Sequence, residues 1–116
     1  MARGEGDNAS VLPRAYLHPE EFAQEVEKVE KELIERGEVI RIRHELHDDR
    51  SGFPMVLFLV VMPDSSFEQE DLLTPTRSVS NALVAGLRPY EQWGVWPYFR
   101  YRSQSEQDAA KEPSWA

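Results

Sequence analysis

The side chains whose types and spacing could do chemistry are His44, His47, Asp48 and Asp49, crowded into one short stretch. Imidazoles beside carboxylates are the donor set of zinc and magnesium sites. With Asp64 added they would make the acidic centre of a small metal-dependent hydrolase or nuclease. The pattern around them argues against that use. Residues 40–47 alternate between apolar and polar, so histidines three apart on such a strand point to opposite faces and cannot share an ion unless the strand breaks between them. Asp48 and Asp49 open the run Asp48-Asp49-Arg50-Ser51-Gly52, whose residue types make turns. The glycine-serine loop that cradles a nucleotide is missing, as are GxSxG, GxGxxG and a Walker loop. The chain has no cysteine, which removes thiolate nucleophiles and Cys-containing zinc sites. No catalytic residue, metal or cofactor is therefore assigned. The hydrolase or nuclease stays as the alternative to a non-enzymatic protein.

The elements that would position these residues emerge from periodicity. Phe22, Val26, Val29 and Leu33 recur at spacings of four, three and four, one stripe of a helix that Pro19 starts and Gly37 ends. Glu20 and Glu21 complement the positive end of its dipole. Its polar face is acidic and reads as solvated. Ile40, Ile42, His44 and Leu46 then alternate with Arg41, Arg43, Glu45 and His47 in a strand with one buried face. After the turn, residues 55–62 are apolar throughout, as in a strand covered on both sides. An acidic connection leads to a second helix carrying Val79, Leu83 and Leu87, its start blurred by Pro75. The last strand, residues 95–102, includes Pro97, which cannot donate to a ladder and marks an edge.

The expected fold is α+β, a two-layer sandwich in the order α-β-β-α-β. A hairpin followed by a right-handed crossover gives a three-stranded mixed sheet with the apolar strand in the middle and both helices on one face. A fourth strand over residues 10–17 stays open. Residues 1–10 read as a mobile arm, 11–102 as the single domain and 103–116 as a polar tail, with Trp115 a candidate to tuck back.

This arrangement leaves one sheet face without helices. It carries Arg41, Arg43, Trp96, Tyr98, Arg100 and Arg102 around an apolar row, the composition of interface hot spots. Two outcomes suit it: a partner protein or a second copy of the chain seats there, or the chain's own termini fold over it. Aromatics with arginines on an open sheet also suit single-stranded RNA, but a net charge of −8 disfavours nucleic acid as a partner. The first residues lack the apolar run of a secretory signal, and no stretch is long enough to span a bilayer, so a soluble cytoplasmic protein with no membrane partner is expected. No small-molecule substrate is indicated.

Two sets of residues carry a resemblance. One is Val39-Ile40-Arg41-Ile42-Arg43 through Asp48 to Ser51-Gly52 and on to Phe58-Leu59-Val60-Val61. The other is Pro97-Tyr98-Phe99-Arg100-Tyr101-Arg102-Ser103 with Ser105-Glu106-Gln107 and Glu112-Pro113-Ser114-Trp115-Ala116. Together they resemble a group of small uncharacterised bacterial proteins that accompany HEPN-type, toxin–antitoxin-like genes. The resemblance implies a protein-binding, antitoxin-like role. It transfers no catalytic residue, and the nucleotidyltransferase signature that often partners HEPN proteins is not here.

Overall fold

The computed structural model of the chain describes residues 12–68, 70–71 and 73–116; the expected arm over residues 1–10 lies outside them. A one-turn helix α1 (Arg14–Leu17) leads through His18 into α2 (Pro19–Glu35). Residues 14–17 are thus helical, and the fourth strand considered for residues 10–17 does not form there. The reason is local and tertiary together. The Pro13 carbonyl accepts the Tyr16 and Leu17 amides, Ala15 is buried, and the Arg14 guanidinium lies 4.1 Å from the Trp93 ring centre. Phe22, Val26, Val29 and Leu33 are the buried residues of α2, as their spacing requires. At its end the Glu38 amide donates to the Leu33 carbonyl and the Gly37 amide to Ile34, a closure that needs the left-handed backbone of Gly37 (φ 75°).

Strand β1 (Arg41–Asp48) pairs antiparallel with β2 (Pro54–Met62), placing Arg41 beside Val61 and His47 beside Met55. The hairpin turn is built on Asp49, whose carboxylate accepts the Ser51 and Phe53 amides at 2.8 and 2.9 Å. A short 3-10 turn (Asp64–Phe67) precedes α3 (Leu73–Leu87). Pro75 does not delay α3 because a first-turn proline gives up no intrahelical bond, and the Asp71 carboxylate accepts the Leu73 amide and the Thr74 hydroxyl. Where α3 crosses α2, a Cβ on Gly86 would lie 2.8 Å from a Val29 methyl, so the close approach depends on glycine. A one-turn helix α4 (Pro89–Trp93) and β3 (Trp96–Ser103) come next, and β3 runs parallel to β2 with Tyr98 beside Leu57 and Arg102 beside Val61. The sheet order is β1-β2-β3, the expected one, with the proline strand at an edge.

The α+β architecture is therefore as read from the sequence. Val56, Phe58, Val60 and Met62 from β2 meet the α2 and α3 stripes in the main core. The opposite sheet face is only half bare. Residues 104–116 form α5 (Gln104–Ala110) and a 3-10 turn (Pro113–Trp115), and Trp115 is buried against Leu59 and Val61 in a second apolar cluster. So the residues read as a polar tail fold back as a partial second layer. They do so because the apolar row of β2 continues through that face, and Trp115 is the large side chain within reach to dry it.

Candidate functional site

Sheet register puts Arg41, Arg43, Glu45 and His47 from β1, Met55, Leu57, Leu59 and Val61 from β2, and Trp96, Tyr98, Arg100 and Arg102 from β3 on the face away from α2 and α3. All six arginine and aromatic residues singled out from the sequence share this face. They do not share one environment.

At one end the chain grips its own segment. Trp115, 2% exposed, lies on Leu59 and Val61, with the Arg102 guanidinium 4.4 Å and that of Arg100 5.8 Å from its ring centre. Arg41 Nε donates to the Trp115 carbonyl at 2.8 Å and Arg43 donates to the Ala116 carbonyl at 2.9 Å. Arg102 also donates to the Gln107 side chain at 2.9 Å and pairs with Glu112. Helix α5 is aimed by a capping box in which Ser103 accepts from the Glu106 amide while Glu106 accepts from the Ser103 amide. Asp64 ties down the same helix start by accepting from the Ser105 amide and hydroxyl, bonds that hold its carboxyl below its ordinary pKa.

At the other end the face is open. Trp96 and Tyr98 are each 45% exposed, and Tyr90 of α4 stacks on Trp96 with ring centres 4.3 Å apart. At the border between the two ends Leu57, level with Glu45 and Tyr98, is half-buried against the Trp115 cluster, and Arg100, level with Leu59, is exposed and has no hydrogen bond or ion pair among the described residues. The Tyr98 hydroxyl reaches the Asp49 carboxylate at 3.3 Å, and His47 faces Glu45 at 3.6 Å. Tyr90 is the contributor that the sequence concealed: it sits in a one-turn helix with no periodicity to mark its face.

The chemical candidates are separated. His44 points into the core side, edge-on to Phe22 at 5.3 Å, and burial lowers its pKa, while His47 is exposed on the opposite face. Asp48 accepts a hydrogen bond from Tyr16 at 2.8 Å, and burial with that carboxylate beside it pushes the Tyr16 phenol up to about 12. Asp64 stands past the far end of β2 from Asp48 and Asp49, roughly 25 Å of strand away, so the carboxylate centre imagined with it is not assembled. Among the described residues no three His, Asp or Glu side chains converge as metal ligands would, and no helix is long and apolar enough to cross a membrane.

Both sheet edges are blunted. The Ile42 amide at the free edge of β1 donates to Glu30 of α2 at 2.7 Å, and Pro97 has no amide to offer at the edge of β3. Comparison of the chain with protein-family models, with curated proteins and with solved structures returns no match, so the face is read from its geometry.

Proposed function

We propose that this chain is a non-enzymatic protein-interaction domain whose partner seats on the open half of the sheet face, over Trp96, Tyr98, Tyr90 and Leu57. The observation that carries the reading is the pair of half-exposed rings on a rigid strand, one of them pre-stacked on Tyr90. Aromatic side chains held this way offer large contact area at little cost in conformational entropy, and a neighbouring unpaired Arg100 adds a directional donor. Blunted edges favour recognition through the face over strand addition. The resemblance to companions of HEPN-type genes makes the product of a neighbouring gene the partner to look for, in an antitoxin-like arrangement; a second copy of the chain is the other occupant.

The experiment is co-purification from the native source together with light scattering on the isolated protein. Wild type should retain a stoichiometric protein partner, or form a concentration-dependent dimer. Either state should be lost in Trp96→Ala and Tyr98→Ala variants that keep the wild-type circular dichroism spectrum. A complex or dimer that survives both substitutions overturns the reading.

A further inference from the structure

The covered half of the face is occupied by a piece of the chain itself. The segment after α5 places an aromatic ring on an apolar floor, two main-chain carbonyls on Arg41 and Arg43, and one carboxylate on Arg102. It fits the floor well and the charges poorly. Arg41 is half-buried and meets only a neutral carbonyl, and Arg100, above the same ring, meets no acceptor among the described residues. A partly desolvated guanidinium such as that of Arg41 gains most from a carboxylate, which it does not have among the described residues; Arg100 is exposed and free to take one. The joint leading into the segment is strained as well: Lys111 ends α5 in the left-handed region at φ 53°, a conformation that glycine adopts freely and lysine does not. That conformation costs free energy at a residue other than glycine, and the Lys111 amide offsets part of it by donating to the Gln107 carbonyl at 2.7 Å.

We infer that residues 111–116 are a displaceable latch occupying the site of an extended partner segment that carries a tryptophan flanked by acidic residues. Such a segment would repeat the seat of Trp115 and add carboxylates for Arg41 and Arg100. The inference rests on the reading that this sheet face binds protein, and deepens it by naming the chemistry of the partner. When the latch leaves, the two halves join into one face running from Trp96 to Arg102.

The test uses the full chain and a fluorescein-labelled peptide of the sequence of residues 104–116 with glutamates added on both sides of its tryptophan. Binding is measured by fluorescence polarisation. Wild type, with its latch closed, should bind weakly. Trp115→Ala, which empties the seat, should bind at least ten-fold tighter. Glu112→Gln loosens the latch without opening a hole in the apolar floor, so it should give an intermediate gain even if Trp115→Ala folds poorly. Adding Arg41→Ala to Glu112→Gln should remove that gain, as should replacing the peptide's tryptophan by alanine or raising the salt to screen the charges. The inference is overturned if Glu112→Gln binds no tighter than wild type, if binding ignores Arg41 and the peptide's tryptophan, or if the latch-opened variants exchange segments into dimers in preference to the peptide. Trp96 is not varied here, so failure of the latch is distinguishable from failure of the open-half reading.

Discussion

The two ends of the uncovered sheet face share three strands and one alternation of side chains, yet one is closed by the chain itself and the other is not. The difference lies in the stretch of chain that leaves β3. Ser103 and Glu106 start α5 directly off the end of that strand, so the segment carrying Trp115 is delivered to the Leu59–Val61 end of β2 and cannot reach the Met55 end. The closed end turns its arginines inward, as donors to main-chain carbonyls and as caps on an indole. The open end keeps its rings and Arg100 facing water. Identical residue types thus serve folding at one end and remain available at the other, and burial of a neighbour decides which.

The largest effect expected from this contrast is at Trp115. Trp115→Ala should cost about 3 kcal/mol, as for truncation of other buried aromatics, read as a fall in the midpoint of chemical denaturation. A change below about 0.5 kcal/mol would mean that the segment is not packed in solution. Next is Arg102→Ala, which loses the stacked guanidinium and its bonds to Gln107 and Glu112. It should cost about 1–2 kcal/mol, while Arg100→Ala, with no such bonds, should cost less in the same assay.

Between these and the open end stands a pH effect on the other face of the sheet. Burial lowers the His44 pKa from its ordinary 6.5 in the folded state. Above that value both folded and unfolded chains hold a neutral imidazole. As pH falls below it, the unfolded chain takes up the proton first, so stability declines with falling pH until the folded pKa is passed. Thermal melts between pH 7.5 and 5 should show that decline, and His44→Leu should flatten it. The smallest effect is at the open end: Trp96→Ala, which loses the stack on Tyr90, should cost about 0.5–1 kcal/mol while abolishing partner binding. A large loss of stability there would erase the distinction between the two ends.

Much of the fold was legible because it rests on local patterns. The four-three-four stripe of α2, the alternation of β1, the unbroken apolar run of β2 and Pro97 in β3 are each readable in a short window, and together they leave one sheet order. The six residues proposed for the face lie on it because alternation in a strand fixes the side, whatever the neighbours do. The closing segment was less legible. Ser103 and Glu106 are the signature of a helix start and could have placed α5, but nothing in a window around Trp115 says which surface it will meet. Tyr90 is hidden for the same reason: its importance comes from stacking on Trp96 across a turn.

The sequence by itself determined which residues share the sheet face, through a period of two and the turn and cap residues that set register. Only the tertiary structure decided which of those residues are spent on the chain and which are left over. That outcome depends on where the segment after β3 lands, a contact between residues distant in sequence whose free energy comes from drying Leu59 and Val61 under Trp115.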